Sequence, residues 1–535
     1  MFASAPARRG PRWIEPGLGR RRRRRRRAWP ILLALVVVAG AGALAYVLVA
    51  RSRNADRERD AAQRYARAWA ARDPAQMWAQ LDARSKAQFP RARFAALVAR
   101  VDREATVRAV RIDALDGPHG GDVALPVTVR TKLFGPLHGT VPLAVHVEDG
   151  RGVVRWTPAD RLPGLREGEA VRRRIGRRPT PAQVLAADGR PLDATPATAD
   201  LATGVARMEA DRLNGRPAAQ LRFGRRVVAR VHVVRGRDVK TTVRPGLQAK
   251  AQSSLGGRLG GVAVVRPRDG AVLALGGLAV SGPQPPGSTF KIITLSAALQ
   301  AGIATPSSSY PIRTYALLSG VRLRNASGEA CGGSLPNAFA VSCNSVFAPL
   351  GAKLGAKRLV RAAEAFGFNS TPRVPAAKPS SISQPAQLKD DLAVGAAAIG
   401  QDRDLATPLE MATAGATIAT GGRHPRPRVV AADPVVLRRA IPKRVAHQVR
   451  TMMIGVVRGG TGTAAALPGI EVAGKTGTAE LRPNSSNPSD TDAWFVAFAP
   501  AGAPKVAVAV MLVGAGAGGQ AAAPIAREVL AAALA

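Results

Sequence analysis

Three short strings constrain this chain more than anything else in it: Ser288-Thr289-Phe290-Lys291, Ser342-Cys343-Asn344 and Lys475-Thr476-Gly477. They follow one another in the order S-x-x-K, S-x-N, K-T-G. Each alone is weak, because any long chain contains an S-x-x-K by chance. Together they supply every part of a serine acyl-transfer site in which a lysine is the base. Any fold proposed for the chain has to serve that chemistry. No histidine is required, and none lies near the strings.

The rest of the chain divides by composition. At 535 residues it is too long for one domain. The formal net charge of +42 points to an anionic partner, although arginine is abundant throughout. Two cysteines, Cys331 and Cys343, are too few for a disulfide scaffold. Both are expected outside the membrane, where a disulfide persists. Gly332 and Gly333 make the chain between them flexible enough to close one, and a buried free Cys343 is the alternative. The six histidines show no metal-binding spacing.

Eight consecutive arginines, residues 20–27, precede an uncharged run of 22 residues, 29–50. That run is long enough to span a bilayer as a helix. The charge before it predicts a cytoplasmic tail at 1–28 and an exterior remainder at the plasma membrane. The abutment favours a topology signal over a nucleic-acid contact. Ala43-Leu44-Ala45 resembles a signal-peptide cleavage site, but the apolar stretch continues past it.

Residues 56–160 read as a small α+β region. Helical spacing places Tyr65 and Trp69 on one face. Asp73-Pro74 is an N-cap followed by a first-turn proline, opening a helix with Met77, Trp78 and Leu81 on one side. A third helix is expected over 91–101. The period then changes to two, giving strands at 106–112, 123–133, 140–147 and 152–156. Residues 166–240 are basic, proline-rich and broken by short strands such as 226–234. From about Thr241 onward two apolar strands, 262–265 and 271–275, flank a Pro267-Arg268-Asp269-Gly270 turn and read as a hairpin. Further strands are expected at 471–473, 494–499 and 505–513, with a closing helix over 524–534. Stretches 338–367 and 392–421 are helical by composition.

Ser288 opens an apolar helix running to Leu299, at the end where the helix dipole favours negative charge. Lys291 lies one turn on, on the same face. Burial would disfavour its charged form and make it a base for the serine proton. Ser342 can relay a proton to a leaving group, and Asn344 can hold Lys291 and substrate backbone. Lys475 offers positive charge to a carboxylate, Thr476 and Thr478 offer hydroxyls, and Gly477 permits close approach. Each string also has a plain structural reading: a buried helix with a snorkelling lysine, an N-cap, an edge strand with a deterrent charge.

The ordered trio, with Gly400-Gln401 and Leu405-Ala406-Thr407-Pro408-Leu409-Glu410-Met411, resembles the class B penicillin-binding proteins from Thr241 to the C-terminus. Thr241-Thr242-Val243 followed by Leu247-Gln248 is similar to the family's opening, with Arg244 where an acid is usual. The resemblance implies the α/β serine penicillin-recognising transpeptidase fold over 241–535: an antiparallel five-stranded sheet with flanking helices and an all-α subdomain. Residues 150–165 resemble the end of the NTF2-like domain of MecA-type members, which implies such a domain over 56–165, read here as a spacer. A β-rich pedestal over 166–240 is implied more weakly, since only Pro181–Leu192 keeps part of its motif.

The implied activity is D,D-transpeptidation of peptidoglycan stem peptides through a Ser288 acyl-enzyme. Backbone N–H groups of Ser288 and Thr478 would hold the oxyanion, and β-lactams would act as substrate mimics. A membrane glycosyltransferase is the expected partner. A D,D-carboxypeptidase or β-lactamase of the same fold is the enzymatic alternative. Glu364 and Asn369, five apart, lack the spacing of a deacylating acid in the class A β-lactamases. A non-catalytic β-lactam sensor or scaffold is the other alternative, and about 28 residues before the apolar run leave little for an output domain.

Overall fold

The computed structural model describes residues 29–115, 122–401, 403–482, 487 and 490–535. The chain divides into two compact units. One holds the residues up to Gly176 with Ala218–His232, the other Arg177–Pro217 with Val233–Ala535. The segment 166–240, expected as one pedestal, is thus shared between them.

The amino-terminal unit starts with one long helix, Trp29–Ala70, whose far end buries Tyr65 and Trp69 completely. The arginine run and the side chains of residues 29–37 lie outside the described residues. Among the described residues no helix is long and apolar enough to cross a membrane.

Asp73 caps the next helix, Pro74–Ala79, by accepting from the N–H groups of Ala75 and Gln76 at 2.9 and 3.0 Å. That helix is shorter than expected. Leu81 lies beyond its end, and Asp82 opens a further short helix, Ala83–Gln88, by accepting from Ser85 N–H at 2.7 Å. Helix Arg91–Ala105 then turns its Phe94 and Val98 inward.

Strands Val107–Ile112, Asp122–Thr131, Pro136–Glu148 and Arg151–Arg155 form an antiparallel meander in chain order. Strict alternation places Val123, Leu125, Val127 and Val129 in the core, as period two requires. Trp156 closes that core edge-on against Phe89 and Phe94, with ring centroids 5.1 and 4.7 Å away. A separate antiparallel sheet, Val171–Ile175, Ala219–Phe223 and Arg226–Val231, completes the unit.

The larger unit is built on five antiparallel strands in the order Ala271–Gly277, Gly260–Arg266, Val506–Leu512, Thr491–Ala499, Ala473–Glu480. Both ends of the segment contribute, as the sequence suggested. Val506–Leu512 is buried along its whole length, so it reads as a continuous apolar run rather than an alternating one. Helices Pro245–Ser253 and Gly518–Leu534 cover one face through Leu247, Ile525 and Val529. Helices Lys291–Gln300, Pro408–Ala419 and Lys443–Gly459 belong to the core on the other.

Three features depart from the sequence reading. Residues 166–240 contain two helices, Pro196–Met208 and Ala210–Asn214, not strands alone. Pro196 stands at a first helical turn, where its missing N–H costs nothing. Helix Lys443–Gly459 was not foreseen, although its buried Val445, Val449, Met452, Met453 and Val456 keep helical spacing. Before the first expected helical stretch, short strands Ser309–Arg313, Tyr315–Leu318, Val321–Arg324 and Cys331–Ser334 form two small hairpin-like pairs.

Candidate active site

The Ser288 turn is set by backbone crowding. Gly287 has φ +50°, and a Cβ there would lie 2.7 Å from Thr478 O. Its N–H donates to Gly400 O at 2.9 Å, and Gly400 must itself lack a Cβ to let Gly287 so close. Gln284 and Ala406 exchange backbone hydrogen bonds at 3.0 and 2.8 Å, so the Leu405–Met411 stretch holds the approach to this turn. Its Glu410 is buried elsewhere in the core, where burial pushes its carboxyl up to about 8.

The first turn, Gly287–Phe290, is 3₁₀ rather than the α-helix expected from Ser288 onward, and Lys291 N–H donates to Ser288 O within it. The α-helix Lys291–Gln300 follows, with every side chain from Lys291 to Leu299 buried. Its small hydroxyls are satisfied internally. Thr294 Oγ1 donates to Ala398 O at 2.6 Å and Ser296 Oγ to Ile292 O at 2.7 Å. Ser288 itself is half-buried at the start of this rigid element.

The S-x-N loop joins helices Leu335–Ala340 and Asn344–Leu354. Ser342 adopts φ +64°, the left-handed region that costs a non-glycine residue roughly 1–3 kcal/mol. Cys343, fully buried behind it, is joined to Cys331 by a disulfide with Cα atoms 5.8 Å apart. That decides the alternative left open by the sequence. Asn344 Nδ2 donates to Arg324 O at 2.9 Å, so one of the unforeseen strands holds the amide in place.

Lys291 and Lys475 are both fully buried, and Ser342 joins them. Lys291 Nζ donates to Ser342 O and to Asn344 Oδ1, each at 2.7 Å, with Ser342 Oγ 3.3 Å away. Lys475 Nζ donates to Ser342 Oγ at 2.9 Å and to Thr476 O at 3.0 Å. Phe347 and Phe339 lie under the two ammonium positions, at 5.6 and 5.5 Å. Among the described residues no carboxylate forms a salt bridge with either lysine. Burial therefore holds Lys291 well below the ordinary lysine range, and the neighbouring Lys475 charge adds to this. Burial pushes Lys475 down to about 7.

The K-T-G strand lies against the Ser288 turn. A Cβ on Gly477 would meet Pro286 O, Thr289 Cγ2 and Trp494 Cβ, each at 2.9 Å. Close packing of the two motifs thus requires glycine there. Thr478 Oγ1 accepts from Gly518 N–H at 3.4 Å. Thr476 Oγ1 sits 2.5 Å from Thr461 Oγ1, and Thr461 N–H donates to Ala340 O at 3.1 Å. Thr461 was missed in the sequence, where Gly459, Gly460 and Gly462 surround it. It ties the K-T-G strand to the segment leading into Ser342. All eight candidate residues thus fall in one cluster. Glu364 and Asn369 bond to each other at 3.3 Å on an exposed surface.

The model of the penicillin binding protein transpeptidase domain matches residues 260–531, a span containing all three strings. The chain belongs to that family. Peptidoglycan D,D-transpeptidase PbpA of Mycobacterium tuberculosis is 35% identical over 363 residues, 56% of this chain and 73% of that protein. Peptidoglycan D,D-transpeptidase MrdA of Acinetobacter baumannii is 27% identical over 54% of this chain and 52% of that one. Among solved structures, the penicillin G acyl-enzyme complex of M. tuberculosis penicillin-binding protein A superposes with a TM-score of 0.56 at 30% identity, covering 67% of this chain and all of that one. The D,D-transpeptidase domain of a peptidoglycan glycosyltransferase from Eggerthella lenta gives 0.57 at 30% identity, over 67% of this chain and 99% of that one.

Proposed function

We propose that the chain is a serine-type peptidoglycan D,D-transpeptidase that forms, and is inhibited through, an acyl-enzyme at Ser288. The observation that carries this is the hydrogen bonding of Lys291. A neutral amine has two N–H bonds and one lone pair. Ser342 O and Asn344 Oδ1, both 2.7 Å away, take up the two N–H bonds. The third neighbour is Ser342 Oγ at 3.3 Å, so the lone pair faces the hydroxyl through which a proton can be exchanged.

Ser288 Oγ attacks the carbonyl between two terminal D-alanines while its proton passes to Lys291. The oxyanion is held by the N–H groups of Ser288 and Thr478. As the tetrahedral species collapses, the C–N bond breaks and Ser342, a hydrogen-bond neighbour of both lysines, relays the proton to the departing D-alanine. An amine of a second stem then attacks the ester, forming the cross-link and returning the proton to Ser288. Lys475, Thr476 and Thr478 bind the terminal carboxylate of the stem or of a β-lactam. No step needs a metal or cofactor.

Residues 29–50 are proposed as the anchor in the plasma membrane, with 1–28 cytoplasmic and the rest exterior. The apolar run and its flanking arginines support this. Residues 56–165 are proposed as an NTF2-like spacer, on the strength of helices followed by a four-stranded meander. Residues 166–240 form the connecting region and 241–535 the transpeptidase domain. A membrane glycosyltransferase is the proposed supplier of glycan strands.

Labelling with a fluorescent penicillin, followed by mapping of the acylated peptide, tests the assignment. The label is expected on the peptide containing Ser288. No label, or a label elsewhere, would overturn it.

A further inference from the structure

The separate three-stranded sheet of the amino-terminal unit has two unlike faces. Val171, Leu221 and Phe223 point into the core. On the other face Arg172 stands directly opposite Arg222, and Gln220 is flanked by Arg174 on one neighbouring strand and Arg230 on the other. Arg172, Arg174 and Arg230 are exposed. Among the described residues none of these four arginines forms a salt bridge, and the Arg222 Nε is buried without a partner.

Two acids that bond to residues of this sheet are engaged elsewhere. Glu169 is held by Arg226 at 2.8 Å, and Glu104 accepts the backbone N–H of Arg173 at 2.7 Å. Like charges directly opposite on neighbouring strands destabilise a sheet. A face built this way is relieved when an anion bridges the pair. Arginine forks match carboxylates in geometry as well as charge.

We infer that this face is a binding site for the stem-peptide carboxylates of the peptidoglycan strand, holding the polymer by contacts that do not involve Ser288. The choice of polymer rests on the proposed transpeptidase reading. Charge complementarity carries the match: Arg172 and Arg174, on one face of the strand and roughly 7 Å apart, and Arg230 offer exposed guanidinium groups to the carboxylates of the stems.

The test uses the full chain in detergent, already acylated with penicillin so that the Ser288 cluster is blocked. Binding to soluble uncross-linked peptidoglycan strands is measured for the wild type, for Arg172→Gln/Arg174→Gln/Arg230→Gln, and for a charge-matched control, Lys357→Gln/Arg358→Gln/Arg361→Gln. Strands with amidated stem carboxylates and vesicles of phosphatidylglycerol are the comparison ligands. The sheet variant should bind carboxylate strands at least ~10-fold more weakly, as three exposed ion contacts multiply, and added salt should weaken the wild type toward it. The control should bind like the wild type, amidated strands should bind weakly to all three, and penicillin acylation rates should be equal.

Wild-type binding by the sheet variant, an equal loss in the control, or binding to the vesicles alone would overturn the site. Strand binding lost in the sheet variant but without penicillin labelling in any variant would uphold the site and remove the transpeptidase reading instead.

Discussion

The buried lysines of the Ser288 cluster are handled unlike the buried ion pairs of the amino-terminal unit. In the amino-terminal unit Arg161, 1% exposed, donates to Asp102 at 2.5 Å, and Asp82, also 1% exposed, meets Arg155 at 3.2 Å. Burial of Asp82 pushes its carboxyl up, but hydrogen bonds from Ser85 and Arg155 outweigh that and leave it below the usual range. In the larger unit Lys291 and Lys475 are each 0% exposed, and their described partners are hydroxyl, carbonyl and amide oxygens. A paired buried charge keeps its ordinary protonation and supports the fold. A buried cation with neutral partners gives up its proton readily, which weakens the fold and creates a base.

The sign of the stability effect follows from linkage. Both lysines bind protons less tightly when folded than when unfolded. Across the window from the depressed folded value, about 7 for Lys475, up to the ordinary lysine value, the unfolded chain holds more protons. Stability contributed through these groups therefore rises with pH over that window, and the penalty is fully present below it.

The contrast can be broken at four places. Ser288→Ala should abolish covalent penicillin labelling while circular dichroism stays native; undiminished labelling would end the assignment. Lys291→Met should slow acylation by at least ~100-fold, the scale for losing a positioned base. Circular dichroism should stay native, so that the loss reports the base and not the fold. A normal acylation rate would mean that another group takes the proton. Thr476→Val should slow acylation by about ten- to a hundredfold for a β-lactam with a free carboxylate, since a charge-assisted hydrogen bond contributes ~1.5–3 kcal/mol. An esterified analogue should be far less affected, and equal losses would make Thr476 a support for Thr461 and the strand alone. Arg161→Met should leave acylation unaltered. It should destabilise the amino-terminal unit by about 3 kcal/mol, the lower range for breaking a buried pair, because Arg72 stays 3.5 Å from Asp102. Unchanged thermal unfolding would contradict the structural role given to that pair.

Legibility in the sequence followed the same division. The eight candidate site residues could be read because acyl transfer demands fixed residue types in fixed order. The five-stranded sheet and the meander could be read because their alternation or long apolar runs are strong. Thr461 was hidden because its role depends on a hydroxyl contact across the fold, which leaves no local periodicity. Strands such as Ser309–Arg313 are largely exposed and carry no apolar pattern; tertiary hydrogen bonds, such as that from Asn325 Nδ2 to Arg313 O at 2.7 Å, fix them. The disulfide could be written as one of two outcomes only, since twelve residues of separation permit a bridge without requiring it. Helix Pro196–Met208 was lost in a segment whose prolines and arginines read as a broken chain.

The two buried lysines, hydrogen-bonded to neutral groups, are the centre of this account, and a pH profile of acylation tests them most directly. The second-order rate of acylation would be followed through the neutral range for a β-lactam with a free carboxylate and for its ester. Deprotonation of Lys291 should raise both rates from the acid side. Lys475 should lose its charge as pH passes about 7, so the free acid should then react more slowly while the ester does not. Profiles that coincide on the alkaline side, or a free-acid rate that holds up to the ordinary lysine range, would contradict the account.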